Sequence, residues 1–186
     1  FGGEVDFGTG PLTSPSEDLF VVKYDAGGNP LWSKHFGGSD STFVAPFGLT
    51  LDAAGDIVVA GAVRGSVDFG GGLEKASPTS QDVFIAKLTA DGDQVWSSVF
   101  GHAHAQWATG VAVDPAGRVA ITGRLQGVVD FGGGPLASHG GEDIFLAAFS
   151  ATGAHLWSHV FGDAPDEHAE AVACDTEGRV SMLAEI

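Results

Sequence analysis

The tetrapeptide Val-Asp-Phe-Gly occurs three times at a fixed interval, and that interval constrains the fold more than any other feature. Its aspartates are Asp6, Asp68 and Asp130, 62 residues apart each time. Three further landmarks keep the same order. Asp-apolar-Phe stands at Asp18-Leu19-Phe20, Asp82-Val83-Phe84 and Asp143-Ile144-Phe145. A glycine precedes Trp-Ser by four residues at Gly28, Gly92 and Gly153, and Phe-Gly closes each segment at Phe36, Phe100 and Phe161. An aspartate precedes a glycine by three at Asp52, Asp114 and Asp175. The 186 residues therefore divide into units of about 62, near 1–62, 63–124 and 125–186. Such units bury their apolar faces only against their neighbours.

Each unit reads as four short strands. In the middle copy, 108–114 is small and apolar and suits an inner strand, and Pro115-Ala116-Gly117 turns the chain. The segment 118–123 alternates as a second strand. Val-Asp-Phe-Gly, with its glycine run, predicts a long loop. There Asp6, Asp68 and Asp130 act as capping carboxylates that accept backbone N–H groups. Strands at 143–149 and 155–161 follow, joined by a turn at Thr152-Gly153. No segment carries capped 3.6-residue periodicity, so no helix of consequence is expected. The fold class is all-β. Four antiparallel strands per repeat make a β-propeller blade, and stacking blades around an axis covers the faces that one blade leaves bare.

Composition limits the function. The 29 glycines belong in turns and sheet corners, and no apolar run is long enough for a spanning helix. The net charge of −16 repels nucleic acid and anionic lipid, so neither nucleic-acid binding nor membrane insertion is expected. Cys174 is the single cysteine, which excludes an intrachain disulfide. It lies on an inner strand and is read as a small buried core residue.

Val-Asp-Phe-Gly-Gly-Gly, Asp-apolar-Phe-apolar-Ala-Lys, Gly-x-x-x-Trp-Ser and apolar-x-Val-Asp-x-x-Gly together resemble the bacterial seven-bladed β-propeller repeats of large secreted proteins and lipoproteins of myxobacteria and their relatives. The Gly-x-x-x-Trp element also resembles the tryptophan-docking motif of quinoprotein-type propellers. That resemblance implies that Trp32, Trp96 and Trp157 are largely buried inter-blade docking residues. It also implies an extracellular or envelope setting, and it carries no catalytic residue set or cofactor.

The phase of the repeat makes residues 1–186 a single propeller segment, with complete blades near 47–101 and 108–162. Two half-blades remain, the last two strands of a blade at the start and the first two at the end. Two arrangements would satisfy them: a homodimer closing a six-bladed ring, or a longer polypeptide of which this is one segment.

Chemistry is sparse. His102-x-His104 is unmatched in the other units, and a pair without a third ligand is more often an exposed loop than a metal site. Asp163, Asp166, Glu167 and Glu170 read as a solvated acidic loop, without the spacing of a calcium-binding loop. The glycine runs lack the helix and lysine of a phosphate cradle. The functional expectation is a non-catalytic binding or scaffold module for a protein or glycan ligand, with no cofactor or metal. Two alternatives stay open. A propeller hydrolase or lyase would need histidines or acids converging at the central opening. A glycan-binding lectin would need Trp107 exposed.

Overall fold

The computed structural model describes residues 2–38, 42–101, 103–164 and 166–185. Every regular element among them is a β-strand. The first unit holds β1 (Gly3–Asp6), β2 (Pro11–Ser14), β3 (Leu19–Tyr24) and β4 (Pro30–Phe36). The next strands are β5 (Phe43–Leu51), β6 (Ile57–Arg64), β7 (Ser66–Asp68), β8 (Leu73–Lys75), β9 (Asp82–Leu88) and β10 (Gln94–Phe100). The same series recurs as β11 (Gln106–Val113), β12 (Val119–Leu125), β13 (Val128–Asp130), β14 (Pro135–Ala137), β15 (Asp143–Phe149) and β16 (His155–Phe161). It ends in β17 (His168–Cys174) and β18 (Val180–Glu185).

Two four-stranded antiparallel sheets form, ordered β5-β6-β9-β10 and β11-β12-β15-β16, flanked by the two-stranded sheets β3-β4 and β17-β18. The Val-Asp-Phe-Gly segments are not the loops expected from the sequence. Each is a small antiparallel hairpin, β1-β2, β7-β8 or β13-β14. Its strands of three or four residues are too short for side-chain alternation to announce them.

Irregularities recur at equivalent places. The first pair of each series slips register around Phe47, Thr109 and Glu170, and the last pair around Leu31, Val95 and Leu156. Extra residues of this kind raise the local twist of the strands that carry them.

The core lies between sheets. One cluster joins Val58, Ala60, Val83 and Ile85 of the first full sheet to Val119, Ile121, Phe145 and Phe149 of the second. Another joins Leu19, Val21 and Phe36 of β3-β4 to Ile57, Val59, Phe84 and Leu88 of the first full sheet. β9 and β15 are buried along their whole length, covered on both faces. Their runs are accordingly almost continuously apolar. The first strands of successive units also meet, β5 against β11 and β11 against β17.

Candidate functional site

The repeated residues build the frame. Asp6 Oδ1 accepts the N–H groups of Gly8 and Gly10 at 2.7 and 3.1 Å. Asp68 does the same for Gly70 and Gly72 at 2.7 and 3.0 Å, and Asp130 for Gly132 and Gly134 at 2.7 and 3.0 Å. One carboxylate oxygen thus closes each hairpin tip. The next residue has a role that sequence reasoning missed. Phe69 and Phe131 are each 1% exposed. Phe69 lies between Phe36 of the preceding sheet and Phe84 of its own, at 5.8 and 5.3 Å between ring centroids. Phe131 lies likewise between Phe100 and Phe145, at 5.3 and 4.9 Å. A large aromatic fixed in every copy of an expected loop was the available signal, because a solvated loop has no use for one.

Trp32 and Trp96 reach the following unit. Trp32 Nε1 donates to the Ala90 carbonyl at 3.2 Å, and Trp96 Nε1 to the Ala151 carbonyl at 3.0 Å. Their rings lie over Gly92 and Gly153, whose φ angles are 78° and 83°. A Cβ added there would stand 3.0 and 2.9 Å from the indoles, so these turns need glycine for both conformation and space. All three tryptophans are half-buried, on the outermost strand of each sheet. Trp157 lines a small cleft with Ala148, Cys174 and Val180. No turn equivalent to 89–92 or 150–153 lies beside it among the described residues.

At one rim the units differ, and this is the best candidate surface. It comprises the starts of β5, β11 and β17 and the ends of β6, β12 and β18. Val44, Gln106 and Glu167 occupy one equivalent position, each donating its backbone N–H to the carbonyl just ahead of β3, β9 or β15, and all three are buried. Gln106 Nε2 donates to the Gln126 carbonyl at 2.8 Å, while its Oε1 has no partner. Ala62, Arg124 and Glu185 occupy another. Arg124 approaches Glu142 at 3.6 Å and lies over the Trp107 ring at 5.7 Å from its centroid. Trp107 is half-buried under that guanidinium, so it is not the bare platform that the lectin alternative requires. An open groove between the two full sheets gathers Arg64, Ser80, Gln81, His104 and Gln126.

The acidic run of the third connection is dispersed. Glu167 is 4% exposed and is not part of a solvated loop; its Oε1 accepts the Asp163 N–H at 3.3 Å. Asp166 accepts the Glu142 N–H at 2.9 Å. Asp143, fully buried, accepts the His139 N–H at 2.9 Å. Among the described residues no three His, Cys, Asp or Glu side chains are arranged to hold a metal ion. His102 lies outside the described residues. Of the other histidines, His35, His155 and His159 stand on outer strands, His104 and His139 in rim loops, and His168 opens β17. They do not converge.

The opposite rim carries the turns at Asp52, Asp114 and Asp175. Each accepts two backbone N–H groups and also meets a cation: Asp52 meets Lys87 at 2.7 Å, Asp114 meets Arg118 at 2.5 Å and Asp175 meets Arg179 at 2.7 Å. Burial pushes the Asp52 and Asp114 carboxyls up, but the cation and the backbone donors outweigh it and hold both below the usual range. Cys174 is half-buried, not a fully buried core residue, and burial together with the Asp114 charge pushes its thiol up. Among the described residues no helix is long and apolar enough to cross a membrane.

No protein-family model matches the chain. Among curated proteins, it is similar to the regulatory protein FlaEY of Caulobacter vibrioides, with 27% identity over 172 residues. The match takes in 89% of this chain but only 18% of that relative.

Proposed function

We propose that the chain is a segment of a β-propeller, its four-stranded sheets being blades, and that it serves as a non-catalytic binding or scaffold module. The observation that carries this reading is a division of labour. The Asp caps, Phe wedges and Trp docks repeat from unit to unit, whereas the polar side chains that differ between units gather at one rim, where Arg64, Gln81, His104 and Gln126 line an open groove between sheets. A shared frame with a variable rim suits recognition, because surface residues can change there without disturbing the core. The charge of −16 favours neutral or cationic ligands over anionic ones. FlaEY is described as a regulatory protein, which is compatible with binding. The resemblance of the repeats favours the envelope or the exterior as the place of work, which fractionation of cells making the tagged protein tests.

The test compares the parent with a triple variant, Arg64→Ala, His104→Ala and Gln126→Ala, on arrays of glycans and of basic peptides. The expected result is a ligand retained by the parent and lost by a variant of unchanged melting temperature. Turnover of a small-molecule substrate, abolished by one rim substitution, would overturn the reading.

A further inference from the structure

Each unit lays an aspartate over the glycine of its Phe-Gly pair. A Cβ on Gly37, Gly101 or Gly162 would collide with the carboxylate of Asp18, Asp82 or Asp143. These aspartates are 4%, 4% and 0% exposed. The first two are supplied by uncharged donors of their own loops: the Ser14 and Ser16 hydroxyls donate to Asp18, and the Ser77 N–H donates to Asp82. The position that follows in the rim is neutral in both, Val44 and Gln106.

The third unit departs from this pattern, because Glu167 stands where they have Val44 and Gln106. A Cβ on Gly162 would meet both acids: Glu167 Oε2 and Asp143 Oδ2 lie within 3.0 Å of that one point. Asp143 Oδ2 accepts the His139 N–H at 2.9 Å and stands 3.2 Å from the Nδ1 of the same ring. Glu167 Oε1 accepts the Asp163 N–H at 3.3 Å. The other two oxygens, Asp143 Oδ1 and Glu167 Oε2, are buried and have no hydrogen-bond partner. Among the described residues no lysine or arginine pairs with either acid, and Arg124 is engaged with Glu142 instead.

Two carboxylates brought together out of water, each with an oxygen that nothing serves, carry a desolvation cost and a mutual repulsion that the surrounding protein does not offset. A small hard cation offsets both at once, because carboxylate oxygens are its ligands. We propose that Asp143 and Glu167 hold a calcium ion above Gly162. The donors are oxygens, which does not suit a metal that prefers nitrogen or thiolate. Calcium takes about 6–8 oxygens in irregular geometry, whereas magnesium demands a near-ideal octahedron. Gly162, Asp163 and Ala164 are exposed, so water reaches the site from that side and completes the shell. With two side chains and no third, the affinity falls in the weak range, with Kd about 0.1–1 mM. The net charge of −16 raises the local concentration of cations. The ion fastens the connection before β17 to the first residue of β15, and so ties the pair β17-β18 to the second full sheet.

Calorimetric titration of EDTA-stripped protein with calcium chloride in physiological salt, together with urea unfolding, tests the proposal. The expected result is one saturable site per chain. Calcium at ten times its Kd then lowers the unfolding constant about tenfold. Glu167→Gln installs the residue that the second series carries at position 106, so the fold accommodates it, and it weakens calcium binding at least about tenfold. Glu170→Gln removes an equal charge from an exposed position of the same segment and leaves binding unchanged. Magnesium gives a response at least about tenfold weaker. No saturable calcium binding below about 10 mM overturns the proposal, as does binding that survives Glu167→Gln intact. Equal weakening by Glu167→Gln and Glu170→Gln also overturns it, since that pattern marks diffuse attraction to an acidic chain. Magnesium binding as tight as calcium overturns the assignment to calcium.

Discussion

Replacing Trp96 with Ala removes the contact that ties the last strand of one sheet to the turn of the next. Truncating a fully buried aromatic costs about 3–5 kcal/mol. Trp96 is half-buried, so its packing contributes about 2 kcal/mol on the same scale. The indole N–H bond to the Ala151 carbonyl, 3.0 Å long, adds about 1 kcal/mol. The sum is about 3 kcal/mol, which for a chain of this length lowers the melting temperature by about 6–12 °C. Trp96→Phe keeps most of the ring and loses the donor, so it costs about 1–1.5 kcal/mol. Trp157→Ala is expected to cost less than Trp96→Ala, because among the described residues no carbonyl receives its N–H. Urea denaturation followed by near-ultraviolet circular dichroism, with the slope checked for constancy, measures all three. A Trp96→Ala variant within about 0.5 kcal/mol of the parent, or a Trp157→Ala variant as unstable as Trp96→Ala, would refute the docking argument.

Asp68→Ala leaves the N–H groups of Gly70 and Gly72 without their shared acceptor; a loss of about 1–2 kcal/mol is expected, with faster amide exchange confined to that hairpin tip. Gly153→Val forces a branched side chain to φ of 83° and against the Trp96 ring, and is expected to cost more than the roughly 1–2 kcal/mol of the backbone strain alone, read from the same urea curves. The turn carboxylates set the acid limit. Asp52 and Asp114 have folded pKa values below 3.8, so the stability they contribute is complete above that pH and is lost as pH falls through the lower folded values. Burial pulls the Lys87 pKa down, but its bonds to Asp52 and Asp56 outweigh that and raise it above 10.5; its share is complete below 10.5 and is lost as pH rises through the folded value. Lys87→Met is therefore expected to flatten both limbs of the stability profile, and an unchanged acid limb would assign that limb to other carboxylates.

The strand order was legible because it rests on local chemistry. Glycine and aspartate punctuate each turn, and the run at 143–149 is apolar throughout since both its faces are covered. The aspartate caps were legible for the same reason: each carboxylate reaches amides only two and four residues ahead. What escaped depends on residues far apart in the chain. Trp107 lost its exposed face to Arg124, which lies opposite it across β11-β12. Glu167 looked like part of an acidic loop until the register aligned it with Gln106, where the chain turns inward.

The rim also explains why identical frames need not do identical work. Each groove there is built by two neighbouring units, so its character is set by a pair of departures, not by one. Between the first and second full sheets it holds Arg64 and Gln81 with His104 and Gln126. One step further along the series Arg124 stands where the first full sheet has Ala62; Glu142 approaches it, and Asp166 accepts the Glu142 amide. These departures leave the Asp, Phe and Trp contacts beneath them unchanged. A change of side chain at the rim therefore alters the polarity of one groove without touching the packing that holds the sheets together.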